Sequence, residues 1–184
     1  SVLLYGPRQV GKTTLAKSFI RDSRDAYFSC DDVSIARSFV ASMQTLDNLV
    51  RPYERVVIDE AQRITDAGVV LKILIDSFPD KRFIITGSSA LELAYGTFDA
   101  LTGRVFIHSM YPIAVAEMPH RERIAVSDVP RGALRFGMYP AVLTAPDVMA
   151  KQEIITTIAE QYLFKDTLSF EMQKRPEFLE KLLA

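Results

Sequence analysis

The sequence predicts an α/β fold in three layers, with a mainly parallel sheet between helices and a small helical region after it. The prediction rests on short apolar runs at residues 2–5, 56–58 and 83–85, which are of the kind that forms buried parallel strands. Each run ends in glycine or polar residues, and segments with the apolar spacing of helices lie between the runs. This alternation of buried strands and helices is typical of a parallel sheet with helices on both faces.

Residues 6–14 follow the first predicted strand and carry the G-x-x-x-x-G-K-[ST] pattern of a phosphate-binding loop. The loop consists of Gly6, Pro7, Arg8, Gln9, Val10, Gly11, Lys12, Thr13 and Thr14. The alternative is a glycine-rich turn that only joins a strand to a helix. The strand before the loop and the helical spacing of residues 14–20 after it favour nucleotide binding.

Each residue type in this loop suits the chemistry of phosphate. Gly6 and Gly11 permit backbone angles at which successive N–H groups point at phosphate oxygens. Lys12 provides a mobile positive charge for the β and γ phosphates, and the Thr13 hydroxyl can ligate the Mg²⁺ that bridges them. We therefore expect a nucleoside triphosphate with Mg²⁺ at this loop.

A second strand and a helix are predicted after the loop. Residues 26–30 read as a strand, and Asp32 or Ser34 can cap one helix whose apolar stripe runs over residues 35–43. We expect residues 48–53 to be irregular because they contain a proline.

The strand at residues 56–58 ends in Asp59 and Glu60, which matches a Walker B arrangement downstream of a phosphate-binding loop. Asp59 would hold Mg²⁺, and Glu60 would orient and deprotonate the water that attacks the γ phosphate. The alternative is a pair of solvated acids that cap the following helix. The phosphate-binding loop favours the functional interpretation. Gln62 and Arg63 can reach the same cleft or lie on the surface.

The next predicted strand, residues 81–89, follows a largely buried helix at residues 69–78 and ends in a polar cluster. A hydroxyl there, that of Ser88, can contact the attacking water or the γ phosphate, because ligands of open α/β sheets bind at the carboxyl ends of strands. Otherwise Ser88 only caps a helix over residues 90–95.

Residues 101–108 read as a last strand that includes Arg104 near its start. This arginine can stabilise charge on a γ phosphate bound by a neighbouring subunit, or it can simply solvate the start of the strand. The sequence alone leaves both interpretations open.

Composition limits the classes of function. The 184 residues include 22 Lys and Arg against 23 Asp and Glu, so no basic excess marks a protein that coats nucleic acid. No apolar stretch approaches the roughly 20 residues of a transmembrane helix and no run resembles a signal peptide, so we expect a cytoplasmic protein without a membrane partner. The single cysteine, Cys30, reads as a small apolar residue at a strand end. Because the chain opens without methionine and stops within an amphipathic pattern, we hypothesise a fragment of a longer protein.

Several motifs, taken in their order and at their intervals, resemble those of AAA-type ATPases. They are GPRQVGKTT, VVIDEAQ, IITGSSA and LTGRV. Further matches at residues 27–32, 111–117, 136–140 and 162–166 make the chain similar to prokaryotic AAA-domain proteins that carry a C-terminal domain of unknown function.

The resemblance implies ATP as the ligand and a sheet in which an additional strand separates the P-loop strand from the Walker B strand. It implies that Ser88, or alternatively Thr86, belongs to the sensor 1 region, and that Arg104 lies near the position of an arginine finger, which would require a homo-oligomer. We expect a P-loop ATPase core over residues 1–109. Because apolar residues within 147–168 have helical spacing, we expect a helical lid and the start of a truncated C-terminal region over residues 110–184.

The leading hypothesis is a Mg²⁺-dependent ATPase whose hydrolysis switches the conformation of the lid and of an attached C-terminal domain or partner. The alternative is a regulatory switch with little turnover, which binds a protein or DNA partner in a nucleotide-dependent way. Glu60 favours the first hypothesis. A P-loop kinase fits less well, because the Asp-Glu strand end suits activation of water. A helicase also fits less well, because the sequence has no basic or aromatic pattern for binding a single nucleic-acid strand.

Overall fold

The fold is given by a computed structural model that describes residues 1–88, 100–118 and 131–160. Its strands are β1 (Val2–Tyr5), β2 (Asp25–Ser29), β3 (Arg55–Asp59), β4 (Arg82–Gly87) and β5 (Phe106–Ser109). They form one five-stranded sheet in the order β2-β3-β4-β1-β5. Every neighbouring pair is parallel, which confirms the predicted parallel sheet.

The order of the strands decides which residues meet. β4 lies between β1 and β3 and pairs with both, which confirms the additional strand that the resemblance implies. Because all five strands run in the same direction, their carboxyl ends lie at one edge of the sheet, at Tyr5, Ser29, Asp59, Gly87 and Ser109. The phosphate-binding loop and the Walker B acids therefore both start from this edge.

Helices cover both faces of the sheet. They are α1 (Lys12–Lys17), α2 (Val33–Ser38), α3 (Met43–Val50) and α4 (Ala67–Ser77), and a short 3₁₀ helix, Ala61–Arg63, follows β3. Side chains alternate between the faces of β3. Val56 and Ile58 belong to a large buried cluster, whereas Val57 belongs to a smaller one with Ala16 of α1. The two clusters on opposite faces give the three predicted layers.

The single helix predicted over residues 35–43 is wrong, because the structure has two helices there, α2 and α3. The chain leaves helical geometry at Phe39, where φ is −82° and ψ is 87°. The Phe39 ring is buried and packs edge-on against Phe28, with 5.5 Å between the ring centroids. α3 then extends over residues predicted to be irregular, because Leu46 and Val50, one turn apart, are both fully buried.

The last strand is shorter and begins later than predicted. Residues 101–104 form a turn closed by a hydrogen bond of 3.0 Å from the Arg104 N–H to the Leu101 carbonyl oxygen. Leu101 is fully buried in the large cluster, so its side chain belongs to the core and not to the sheet. β5 starts only at Phe106, and Arg104 lies in the turn before it.

The chain divides into two compact units. The first contains the sheet and comprises Ser1–Pro7 and Gly11–Met110, and the second comprises Arg8–Val10 and Tyr111–Ala184. Within the second unit, the described elements are a 3₁₀ helix, Val115–Glu117, and the helices α5 (Arg131–Phe136), α6 (Pro140–Thr144) and α7 (Val148–Ile158).

Aspartate side chains cap helices in both units. Asp32 accepts a hydrogen bond of 2.8 Å from the Ser34 N–H and caps α2, as predicted. Asp147 accepts one of 2.8 Å from the Ala150 N–H and caps α7. The helix predicted over residues 90–95 lies outside the described residues, as does the part of the helical pattern at residues 147–168 that follows residue 160. In the described ranges, no helix has the length and apolar character that a bilayer span requires.

The packing of α4 can be tested with two neighbouring valines. Val70 is fully buried, whereas Val69 is 53% exposed. Val70→Ala should lower the free energy of unfolding by about 2 kcal/mol, because two buried methyl groups are lost and a cavity remains. Val69→Ala, the matched control, should change it by less than about 0.5 kcal/mol. Alanine's better helix propensity acts equally at both positions, so the difference, measured by urea denaturation, reports burial. Equal effects would contradict this packing.

Candidate nucleotide-binding site

The phosphate-binding loop leaves β1 at Gly6, a residue that has no room for a side chain. A Cβ at this position would lie 2.1 Å from the carbonyl oxygen of Met110. Met110 is close because its N–H donates a hydrogen bond of 2.7 Å to the carbonyl oxygen of Tyr5, which continues the pairing of β5 with β1. Gly6 and Gly11 both have positive φ, 149° and 99°, as the loop pattern predicts.

Lys12 is held by the loop itself. Its side chain is buried, with 4% exposed, and its Nζ donates hydrogen bonds to the carbonyl oxygens of Gly6 at 2.9 Å and of Pro7 at 2.7 Å. A positive charge therefore lies under the loop, where phosphate oxygens would compete with these carbonyl oxygens for its protons.

The middle residues of the loop, Arg8, Gln9 and Val10, group with the second unit. Within this segment Gln9 has a positive φ of 63°, which is uncommon for a residue with a Cβ. Thr14, the last residue of the pattern, lies in α1 and is exposed.

The two predicted motifs meet through Thr13 and Asp59. The Thr13 hydroxyl lies 3.1 Å from Oδ1 and 3.0 Å from Oδ2 of the Asp59 carboxylate. Asp59 is the last residue of β3 and only 2% exposed, so the carboxylate is buried at the edge of the sheet. These residues are 46 positions apart in the sequence, and the fold brings their oxygens together.

Thr86, near the end of β4, binds both Walker B residues. Its fully buried hydroxyl donates to Asp59 Oδ1 at 2.5 Å and accepts from the Glu60 N–H at 3.0 Å. Ser88 lies just beyond the same strand and is also fully buried. Its Oγ has no hydrogen-bond partner among the described residues. Thr86 and Ser88, which the sequence left as alternatives, therefore differ: the Thr86 hydroxyl binds Asp59 and Glu60, and the Ser88 hydroxyl binds no described residue.

Gln62 connects the second Walker B acid with the end of β4. Its Nε2 donates to Oε2 of Glu60, and its Oε1 accepts from the Ser88 N–H at 3.3 Å. Of the two residues that the sequence left open between cleft and surface, Gln62 lies at the site. Arg63 instead forms an exposed ion pair of 3.3 Å with Asp31.

Arg104 lies away from these residues of its own chain. It precedes β5, at the amino edge of the sheet, whereas Lys12 and Asp59 lie at the carboxyl edge. Its Nε donates a hydrogen bond of 2.8 Å to Oδ1 of Asp76 in α4.

Tyr27 is a residue of the site that motif reasoning missed. Its hydroxyl donates a hydrogen bond of 2.7 Å to Oδ2 of Asp59. Burial raises the pKa of Tyr27, and the hydrogen bond to Asp59 raises it further. The sequence indicates only that Tyr27 belongs to a strand. Its contact with Asp59 can be predicted only once the register of this strand against the Walker B strand is known.

Cys30, directly after β2, is a structural residue. Its N–H donates a hydrogen bond of 2.9 Å to the Asp59 carbonyl oxygen, and its side chain is 1% exposed. Burial, together with the neighbouring acids, raises the pKa of the thiol to about 12, so it remains protonated at neutral pH. The predicted small apolar role at a strand end is confirmed.

The donor set fits magnesium in chemical type. A hydroxyl and a carboxylate offer only oxygen atoms, which Mg²⁺ prefers, and the remaining ligands of such a site are waters and phosphates. Across the described ranges, no group of three or more His, Cys, Asp and Glu side chains is placed to hold a metal by itself. A cation at Thr13 and Asp59 would therefore depend on the nucleotide for further ligands.

This combination of a parallel sheet, a P-loop and a Walker B strand end belongs to the class of P-loop nucleotide-binding proteins. The family model described as "AAA domain" matches residues 1–119, and the chain belongs to this family. Family membership implies nucleotide-dependent activity.

Two relatives are the uncharacterized proteins Mb2031c of Mycobacterium bovis and Rv2008c of Mycobacterium tuberculosis. Each is 34% identical over 118 residues, which cover 64% of this chain and 26% of the relative. The chain thus matches about a quarter of the length of these relatives.

The two loop glycines should differ in their tolerance of a side chain. Gly11→Ala should cost roughly 1–3 kcal/mol of stability through backbone strain alone, since in the described part of the chain a Cβ there meets nothing within 4 Å. Gly6→Ala should cost clearly more, because the new Cβ overlaps the Met110 carbonyl oxygen and β5 must move. Denaturant unfolding of both variants checks this order. A similar loss for both would contradict the close approach at Gly6.

Proposed function

We propose that this chain binds ATP together with Mg²⁺ and hydrolyses it. The observation that carries the proposal is the contact between Thr13 and Asp59, which joins the P-loop to the Walker B strand at 3.0 Å and 3.1 Å. Lys12 precedes Thr13 in the chain and Glu60 follows Asp59. Lys12, proposed to bind phosphate, and Glu60, proposed to activate water, are thus each adjacent in sequence to one of the two residues that form this contact.

Binding of the triphosphate starts with Lys12. Its ammonium group exchanges the carbonyl oxygens of Gly6 and Pro7 for β and γ phosphate oxygens, while backbone N–H groups of the loop bind the same phosphates. Thr13 and Asp59 hold the cation, which neutralises phosphate charge when bound.

Glu60 is the proposed general base. It takes a proton from the water that attacks the γ phosphorus, the bond to the bridging β phosphate oxygen breaks, and ADP and phosphate leave. Its carboxylate oxygen Oε2 accepts a hydrogen bond from Gln62, which holds the side chain at the edge of the sheet. The buried Ser88 hydroxyl, one residue beyond β4, is the proposed donor to the γ phosphate or to the attacking water.

Arg104 is proposed to act on a neighbouring subunit. It lies at the opposite edge of the sheet from Lys12 and Asp59, so it does not serve the site of its own chain. Its ion pair with Asp76 is partly exposed, with 33% of the Arg104 side chain and 45% of the Asp76 side chain accessible. Arg104 can therefore release Asp76 at little cost and bind a phosphate in an assembled form. A homo-oligomer follows from this role.

The proposed consequence of turnover is a conformational switch. Residues 1–109 would act as the ATPase core. Residues 110–184 would form a helical lid and the start of a further region, which would bind a protein or DNA partner. A cytoplasmic location is part of the same proposal.

One observation favours the alternative of a nucleotide-dependent binding switch with little turnover. Oε2 of Glu60 accepts a hydrogen bond from Gln62, which reduces its availability as a base. Tight ATP binding by the wild-type chain without release of phosphate would reject hydrolysis and support this alternative.

Glu60→Gln should retain ATP affinity within about twofold and lower phosphate release at least about 100-fold, because an amide has the same shape as the carboxylate but cannot accept the proton. Equilibrium binding and a phosphate-release assay measure the two effects separately. Glu54→Gln is the matched control, since its carboxylate is 67% exposed and pairs with Arg24, and it should leave both unchanged. Wild-type turnover in Glu60→Gln would remove Glu60 as the base.

Arg104→Ala should reduce the ATPase activity of an assembled form at least about 10-fold while leaving ATP affinity unchanged. Addition of inactive Lys12→Ala protein, which keeps Arg104, should restore part of the rate, because each subunit then supplies what the other lacks. Arg82→Ala, which changes an exposed arginine at the same edge of the sheet, is the control and should have no effect. A wild-type rate in Arg104→Ala, or no recovery on mixing, would refute an arginine finger in trans.

A further inference from the structure

We propose that Tyr27 is a positioning residue that orients the Asp59 carboxylate for the cation and thereby sets the affinity of the nucleotide-bound site for Mg²⁺. This inference rests on the magnesium site of the proposed function. It assigns a role to a residue of β2, a strand that carries neither the P-loop nor the Walker B acids.

The position of Tyr27 follows from the pairing of β2 with β3. Ser29 is directly opposite Asp59, and Tyr27 is opposite Val57, two residues earlier on the same face. A diagonal neighbour in adjacent strands is within reach of an aromatic side chain. The Tyr27 hydroxyl spans this diagonal and donates to Oδ2 of Asp59 at 2.7 Å.

The carboxylate is held from both sides of its own strand. Tyr27 in β2 donates to Oδ2, and Thr86 in β4 donates to Oδ1. Thr13 lies almost equally far from the two oxygens, at 3.1 Å and 3.0 Å, so it faces the edge of the carboxylate between them.

This symmetry has a physical function. The torsion that rotates an aspartate carboxylate is soft, and the side chain has no strong preference for one orientation. Hydroxyl donors on opposite sides fix the rotation, so that both oxygens stay directed at the Thr13 hydroxyl, where the cation is proposed to bind. With one donor removed, the carboxylate can turn away from Thr13.

The phenol ring is itself held in place. Tyr27 packs against the smaller apolar cluster, which includes Leu4, Val57 and Ile84. The Lys17 ammonium of α1 lies 4.9 Å from the centroid of the ring. A ring fixed in this way can place its hydroxyl reproducibly, which a positioning role requires.

The test is Tyr27→Phe, which keeps the ring and its packing and removes only the hydroxyl. Binding of a fluorescent ATP analogue to the full chain is titrated with Mg²⁺, and binding in excess EDTA is measured separately. Tyr27→Phe should raise the Mg²⁺ concentration for half-saturation about 10-fold, in the range observed when a partner of a metal ligand is lost, and should leave affinity in EDTA unchanged.

Tyr53→Phe is the matched control. Tyr53 is a partly buried tyrosine of the same unit, and its hydroxyl makes no hydrogen bond within the described residues. This variant should show the wild-type dependence on Mg²⁺. Thermal unfolding of both variants, compared with wild type, separates an effect on the site from a loss of folded protein.

The results have distinct meanings. An unchanged Mg²⁺ dependence in Tyr27→Phe overturns the positioning role and leaves the proposed function intact. If Tyr27→Phe loses affinity for the ATP analogue by the same factor in Mg²⁺ and in EDTA, the positioning role is also overturned, because the hydroxyl would then support only the fold. Wild-type binding that does not depend on Mg²⁺ refutes the magnesium site of the proposed function itself.

Discussion

The buried carboxylate of Asp59 is the group on which the rest of the site depends. Removing a carboxylate from water costs several kcal/mol, and this cost has to be offset where the group is buried. Hydroxyls from α1, β2 and β4 donate to it, and hydrogen bonds to a charged group contribute about 1.5–3 kcal/mol each. Because these donors come from separate elements, the carboxylate is satisfied only when the sheet and the P-loop helix are in their native register. The site is therefore complete only when the edge of the sheet has its native structure.

The residues of the two motifs were predictable because phosphate chemistry requires certain side chains at short, fixed spacings. Lys12 and Thr13 follow from the P-loop pattern, and Asp59 and Glu60 follow from an apolar strand that ends in acids. The role of Tyr27 was not predictable in this way. Its contact depends on the pairing of β2 with β3, and register is a property of the assembled sheet.

The errors in the predicted elements have a common cause. An apolar pattern reports which side chains are buried, and it does not report the backbone that buries them. Phe39 fits a continuous helical stripe, yet its burial requires the chain to turn and start a second helix. Leu101 fits a strand, yet it reaches the core from the turn before β5. In both places the prediction of backbone conformation was wrong. Phe39 and Leu101 are buried, whereas Val40 and Met43 of the same helical stripe are exposed.

The insertion of β4 between β1 and β3 explains how two adjacent acids can act on different partners. Parallel strands lie about 4.8 Å apart, so β1 and β3 are separated by roughly 10 Å, and Thr86 of β4 fills this gap. Its hydroxyl donates to Asp59 and accepts from the N–H of Glu60, whose φ is 56°. A left-handed residue is costly unless its surroundings hold it, and this hydrogen bond does so. The turn at Glu60 leaves the Asp59 carboxylate with the hydroxyls and the Glu60 carboxylate with Gln62. The separation of the acid that is proposed to hold the cation from the acid that is proposed to accept the proton is thus a consequence of strand order.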